Sequence, residues 1–481
     1  MNRVCKSRFR SSLRIGATLA FVAGCGSGSP GSSAGSAGSA GAAMGGAYNA
    51  GGSAFAGAAS DVAGASSGGA AGTVVGQAGA MSGMGGAATT GGANNAGGAG
   101  GALGTAGAAG SGASDCVAKA AVASMKLGWN LGNSLDVADA SKSDTTVETG
   151  WGNPAVTPEL FKAVAAAGFG AVRIPVTWIG RFGAAPKYTI NAAFIDRVTQ
   201  VIDAALAAGL YVIINVHHDG GNNVTGRWLT LVDSSGQVTS ANSSAVSAQF
   251  TALWTQIAAH FASYGEHLVF EAMNEVMVDY GTPKPEYYTQ INSLNQAFVD
   301  TVRASGGNNP KRCLVVPGYN TNIDYTVAGF ALPKDSSAGK LILSDHFYDP
   351  YSFAGSAETH TWGSGNAGVD SWGQEDWVKA QMAKLKATYG DKDLPVILGE
   401  YGAVNQTGYE NYRRYYVEYV TKAAHDSGVT PFYWDNGGKG SGSDAFGLID
   451  RTNNAVLYPA LMQALARAVS SSYALADVSK P

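Results

Sequence analysis

Long apolar runs are nearly absent from this sequence. The run Ile15–Ala23 is too short to span a bilayer, which takes about 20 apolar residues, and no later segment is long and apolar enough to do so. Cysteine is scarce: Cys5, Cys25, Cys116 and Cys313 are the only four in 481 residues, and none sits in a CxxC pair or a Cys/His cluster. That spacing excludes the usual zinc sites, and no metal or other cofactor is expected. Basic charge is also short. Arg3, Lys6, Arg8, Arg10 and Arg14 crowd the first 24 residues, and without them the net charge moves from −4 to −9. An acidic chain of this kind has no basic face for nucleic acid. Between Gly26 and Ser114 charge of either sign all but vanishes, with Asp61 alone.

What is present falls into unlike parts. Residues 1–25 have a basic start, an apolar stretch and the ending Val22-Ala23-Gly24-Cys25. That pattern reads as an export signal with a bacterial lipobox, in which Cys25 is lipidated and becomes the first residue of the mature chain. One lipidated cysteine would tether an exported protein to the cell envelope without a membrane-spanning helix. Residues 26–114 are Gly, Ala and Ser with few apolar side chains. They cannot bury enough surface to offset ordering entropy, so a disordered linker is expected, with a root-mean-square span of about 50 Å. Residues 115–470 have the composition of one large α/β domain, and 471–481 read as a C-terminal tail. Export permits a disulfide between Cys116 and Cys313, but spacing alone does not bring them together.

The domain alternates short apolar runs with amphipathic stretches. Eight strands are expected: Leu127–Leu131, Ala171–Pro175, Tyr211–Val216, Leu268–Met273, Cys313–Pro317, Leu341–His346, Val396–Gly399 and Thr430–Tyr433. Helical patterns lie between most of them. Pro158–Ala167 has Thr157 as a cap and Gly168 as a stop, and Ala193–Ala208 ends at Gly209. This periodicity suits a (β/α)8 TIM barrel and a doubly wound sheet equally well.

The polar residues carry a second pattern. The apolar runs end in Gly-Asn, Arg173, His217-His218, Asn274-Glu275, His346 and Tyr348, Glu400, and Trp434-Asp435-Asn436. In a barrel these endings converge on one face, where chemistry is done. Two of them, Glu275 and Glu400, are carboxylates, and each directly follows a buried run where an unpaired charge is costly. A carboxylate pair is what acetal cleavage needs. One protonates the departing oxygen, and the other attacks C1 or activates water. His217 and His218 are adjacent, so strand geometry would point their side chains apart and disfavour a chelate. His346 and Tyr348, two residues apart, would share a side. The Gly/Ser-rich run Gly437–Ser443 lacks the spacing of a phosphate-binding loop.

Seven segments, in order, resemble glycoside hydrolase family 5, and most closely its subfamily 4 of bacterial endoglucanases and xyloglucanases. They are Gly128-Trp129-Asn130-Leu131-Gly132-Asn133, Val172-Arg173-Ile174-Pro175-Val176-Thr177-Trp178, Asn215-Val216-His217-His218, Met273-Asn274-Glu275, His346-Phe347-Tyr348, Gly399-Glu400-Tyr401-Gly402 and Tyr433-Trp434-Asp435-Asn436-Gly437. The resemblance implies the barrel, a retaining endo-β-1,4-glucanase, Glu275 as acid/base and Glu400 as nucleophile. It places His217 in an inner hydrogen-bond network and His218 nearer the sugar. Arg173 and Tyr348 would keep Glu400 ionised, and His346 would orient Glu275 or the substrate. Burial and Glu400's charge would raise the pKa of Glu275. Asn274 would bind the sugar 2-OH, and Trp434 would be the stacking platform beneath the reacting sugar. Asn133, Trp151 and Trp228, in loops after the first and third strands, are candidate outer sugar contacts.

The expected partner is a β-glucan chain: cellulose-like, mixed-linkage or xyloglucan. A mannanase or xylanase on the same scaffold is the nearest alternative. A surface carbohydrate-binding lipoprotein without activity is a second, which the paired glutamates argue against. A monomer is expected, lipid-anchored at the cell surface.

Overall fold

The computed structural model describes residues 115–220 and 226–481. The export signal, Cys25 and the linker expected at 26–114 lie outside them. Eight strands close into a barrel, β1 (Gly128–Leu131), β2 (Ala171–Ile174), β3 (Tyr211–Asn215), β4 (Leu268–Glu271), β5 (Leu314–Asn322), β6 (Leu341–Phe347), β7 (Val396–Tyr401) and β8 (Val429–Asp435). Every neighbouring pair is parallel, and β1 pairs with β8 to complete the ring. This closure decides for the barrel over the doubly wound sheet. The helices are α1 (Ala118–Met125), α2 (Pro158–Ala166), α3 (Ala192–Ala207), α4 (Ser240–His260), α5 (Pro285–Ala304), α6 (Ile323–Gly329), α7 (Tyr351–Ala354), α8 (Glu375–Thr388), α9 (Glu410–Asp426) and α10 (Pro459–Ala468). Among the described residues none is long and apolar enough to cross a membrane.

All eight expected strands are present, with ends shifted by a few residues. The largest change is β5, which runs on past Pro317 to Asn322 through a register shift. Gly168 and Gly209 end α2 and α3 in the left-handed region, at φ +99° and +82°. Thr157 stands at the N-cap of α2, but its side chain makes no capping hydrogen bond.

Strand alternation builds two layers inside the barrel. The lower layer is apolar: Ala171, Ile213, Val269, Val315, Ile342, Ile397 and Phe432 pack together with Ala118, Ala121, Val122 and Met125 of α1. That helix therefore plugs the N-terminal end. Gly128 lacks a side chain because the Phe432 ring fills the space, 2.0 Å from where a Cβ would be. Cys116, just before α1, is disulfide-bonded to Cys313, just before β5. Two residues further along, the inward positions of five strands become polar, with Asn130, Arg173, Asn215, Glu271 and Ser344, while β7 has Gly399 there. The barrel is thus dry at one end and charged at the other. Residues 471–481, expected as a tail, are tied to the barrel by Tyr473 to Glu418 (2.8 Å) and by the buried side chain of Val478.

Candidate active site

Arg173 organises the polar layer. Its side chain is fully buried and uses three nitrogens. Nε donates to Glu271 Oε2 at 2.7 Å, Nη1 to Glu400 Oε1 at 2.8 Å and Asn130 Oδ1 at 3.1 Å, and Nη2 to Asn274 Oδ1 at 2.8 Å. Burial pulls its pKa down, but the charges of Glu271 and Glu400 outweigh that and the net shift is upward. The guanidinium stays charged and fixes four side chains around its fork. It takes the Oδ1 of Asn274, which leaves that amide its Nδ2 donor.

Glu400, near the end of β7, is buried and meets further partners. The Tyr348 hydroxyl donates to Oε2 at 3.1 Å. His346 Nδ1 lies 3.7 Å from Oε2, and His217 Nε2 lies 4.0 Å from Oε1. Burial, then the charges of Glu400 and Glu275, push the Tyr348 phenol far up, so it remains a proton donor. Glu275, four residues past β4, is 38% exposed at its side chain and so faces the mouth. Its Oε1 is 2.7 Å from His346 Nδ1. One ligand-type atom each of Glu275, His346 and Glu400 lie within 4.8 Å of one another.

The balance of charge in this trio corrects the expectation of a raised Glu275. Burial does raise that carboxyl, but the hydrogen bond and charge of the His346 ring outweigh it, and the net shift is downward. Glu400 shifts upward instead: burial dominates, His346 and Arg173 offset it only in part, and Glu275's charge adds to the rise. Burial lowers the His346 imidazole, but Glu400 and then Glu275 more than reverse this and raise it. The two carboxylates thus favour the charged form of the ring that lies between them.

His217 and His218 do not diverge as expected. Their rings sit 4.4 Å apart, edge to face. The reason is that β3 ends at Asn215, so strand alternation no longer governs positions 217 and 218. His217 is buried, and its Nδ1 is 3.1 Å from Asn215 Nδ2, while that amide also donates to Glu271. His218 is partly exposed at the mouth, 3.9 Å from Asp136 Oδ2 and 5.7 Å from the Trp151 ring. Both imidazoles are lowered, first by burial, and His218 falls to about 4.

The Trp434 ring lies parallel to that of His217, 6.0 Å away. Gly132 makes room for it, since a Cβ there would be 2.7 Å from the indole. Trp151 is 44% exposed and reaches the mouth beside His218. Asn133 adopts φ +56° in the first loop, which Asn153 ties to the loop after β8 through Asn133 O and Asn436 O, at 2.8 and 2.9 Å. Trp228 is committed elsewhere: its Nε1 donates to Asp219 at 2.7 Å, and its ring packs on Phe182.

Sequence reasoning missed Glu271, Asn215 and Asp136. Glu271 carried a readable signal, a lone acid inside an apolar strand, which demands a buried partner. Asp136 had none, because its role is local: its carboxylate accepts the N–H groups of Asn133 and Ser134, at 2.9 and 2.6 Å.

Residues 136–440 match the cellulase family, glycosyl hydrolase family 5. The chain is 41% identical to endoglucanase A of Paenibacillus barcinonensis, over 71% of this chain and 88% of that protein. A broad-specificity GH5-4 endoglucanase from Bacteroides salanitronis superposes with a TM-score of 0.68 at 44% identity, covering 73% of this chain and 94% of that one. A Bacteroides ovatus GH5 xyloglucanase in complex with a XXXG heptasaccharide superposes at 0.66 with 36% identity, covering 74% and 77%.

Proposed function

The chain belongs to glycosyl hydrolase family 5, and from that premise we infer that it is a retaining endo-acting hydrolase of β-1,4-glucans. The observation that carries the stereochemistry is the approach of Glu275 and Glu400, with carboxylate oxygens within 4.8 Å. Retention takes carboxyl groups about 5 Å apart, whereas inversion needs roughly 6.5–9.5 Å to admit a water between them.

In the first step Glu400 attacks C1 and the bond from C1 to the glycosidic oxygen breaks. Glu275 delivers a proton to that oxygen, drawn along its 2.7 Å contact with the His346 ring. In the second step Glu275, now ionised, takes a proton from water. The water oxygen adds to C1 and Glu400 departs. Arg173 and Tyr348 hold the attacking oxygens in place, and Asn274 Nδ2 is left to donate to the sugar 2-OH. Trp434 offers the flat apolar face on which a pyranose packs, and Trp151 extends that surface outward. The similar proteins include an enzyme of broad specificity and a xyloglucanase, which favours mixed-linkage, xyloglucan or cellulose-like chains as substrates.

Glu400→Gln is expected to keep the fold and oligosaccharide binding and to lose at least ~10³-fold in turnover. Reducing-end release from soluble β-glucan measures it, and near-normal release would remove Glu400 from the nucleophile role. The basic start, short apolar stretch and Cys25 support export with a lipid anchor at the cell envelope. Cys25→Ser should move the protein from the membrane to the soluble fraction, and persistence with membranes would exclude the anchor.

A further inference from the structure

His346 turns only one of its ring nitrogens to the carboxylate pair. Nδ1 faces Glu275 and Glu400, while the buried Nε2 has no hydrogen-bond partner. Ser344, two residues earlier on β6 and on the same inward face, is fully buried, and its Oγ also has no partner. The two atoms open on one space. A Cβ on Gly399, in neighbouring β7, would lie 2.5 Å from Ser344 Oγ and 3.1 Å from His346 Nε2. The absence of a side chain at 399 leaves room for both.

We propose that Ser344 is a positioning residue for the acid step: its hydroxyl, directly or across one water, accepts the Nε2–H of His346 and so selects the tautomer whose Nδ1 can exchange a proton with Glu275. The inference rests on Glu275 being the acid. The doubly protonated ring passes its Nδ1 proton to Glu275 Oε1. It is left neutral, with its remaining proton on Nε2 and a lone pair on Nδ1 that accepts the Glu275 O–H. Glu275 then gives that proton to the departing oxygen. When water later returns a proton to Glu275, the pair is reset, and Nε2 has kept its proton throughout. The other neutral tautomer, with Nδ1–H and a bare Nε2, would leave Glu275 ionised and unable to act as an acid.

The charged and titratable groups around the ring fit this division. Glu275 and Glu400 lie on the Nδ1 side, the Arg173 charge acts from β2, the His217 ring, itself lowered by burial and neighbouring charge, stands past β3, and Tyr348 lies past β6 on Glu400. Asp345 turns outward to Thr326 of α6. Ser344 is the hydroxyl that shares the Nε2 space. A serine can donate as well as accept, so it tolerates the ring while the ring changes charge.

The test uses the full chain, the variants Ser344→Ala, Ser344→Thr and Glu275→Gln, and aryl β-cellobiosides with leaving groups of different basicity. Dinitrophenolate departs without a proton, whereas phenolate needs one. Ser344→Ala should slow the phenyl substrate ~10-fold, leave the dinitrophenyl substrate within about 2-fold, and move the alkaline limb down by about half to one pH unit. Ser344→Thr, which keeps the hydroxyl, should restore the limb. An unmoved limb, or an equal loss on both substrates that threonine does not repair, overturns the inference. Failure of the parent assignment looks different: Glu275→Gln would then treat the two leaving groups alike. A nitrogen-15 histidine spectrum of the unmodified chain gives a check free of folding effects. Nε2 of His346 should stay protonated across the alkaline limb, and a change to the Nδ1–H tautomer would overturn the inference.

Discussion

One side chain, Arg173, carries much of the polar interior. A single positive charge serves Glu271 and Glu400 and orients two asparagines as well. Removing it would leave two buried carboxylates without their counter-charge, which typically costs about 3–5 kcal/mol. Lysine keeps the charge but offers one point in place of a fork. Arg173→Lys is therefore expected to lose roughly 100-fold in kcat/KM, with thermal stability also lowered. Kinetics on β-glucan oligomers and a melting curve check both, and wild-type kcat/KM would show that charge alone suffices. At this scale the sequence was most legible where an acid closes an apolar run, as Glu275 and Glu400 do. Glu271 sits inside such a run, where a lone acid signals a buried partner but does not say which one. The proton balance was illegible because it depends on a 2.7 Å contact between residues 275 and 346, which no local pattern specifies.

At the level of elements, period-two alternation does most of the work. The outward positions bind helices, and the inward ones switch from apolar to polar along five of the eight strands. Strand existence could be read from apolar runs, but strand ends could not, and the paired histidines past β3 show the consequence. β6 also carries a tension of its own. The outward Asp345 is fully buried against α6, with Oδ1 accepting from Thr326 Oγ1 at 2.5 Å and Oδ2 unpartnered. Burial pushes its carboxyl up to about 8 from an ordinary 3.8. The folded chain therefore holds a proton that the unfolded chain gives up above about pH 4. Stability from this group is complete below pH 3.8 and is lost progressively as pH rises towards 8. Asp345→Asn cannot titrate, so its melting temperature relative to wild type should climb by several degrees between pH 5 and pH 8. Asp136 and Asp219 have raised carboxyls too, but they are common to both proteins and cancel in the difference. A difference in melting temperature that stays flat with pH would show Asp345 ionised in the fold.

Over the whole molecule, the barrel is closed twice, by strand pairing around its wall and by a covalent link at its floor. Neither closure was legible in periodicity or spacing. Periodicity fits an open sheet as well as a ring, and only the family resemblance pointed to the pairing of β1 with β8. The Cys116–Cys313 bond joins residues separated by 197 positions, a relation that spacing cannot reveal. The bond anchors α1, whose apolar face is buried against the inward residues of several strands, to the start of β5. The Cys116 backbone is held there as well, its N–H by Lys311 O at 3.0 Å and its carbonyl by Lys340 Nζ at 2.9 Å. A loop of that length loses much conformational freedom when cross-linked, up to about 5 kcal/mol by chain entropy and more typically 2–4 kcal/mol in practice. Replacing both cysteines by alanine should therefore lower the melting temperature by several degrees. Catalysis should respond differently. The disulfide lies at the N-terminal end of the strands, and the polar layer and the carboxylate pair lie at the other. The double variant is expected to retain wild-type kcat and KM at 25 °C and to lose activity earlier on heating. Rates measured well below the transition, beside a melting curve, separate the two effects. A fall in kcat at 25 °C with the fold intact would mean that the plug at the floor sets the geometry of Arg173 and Glu400 above it.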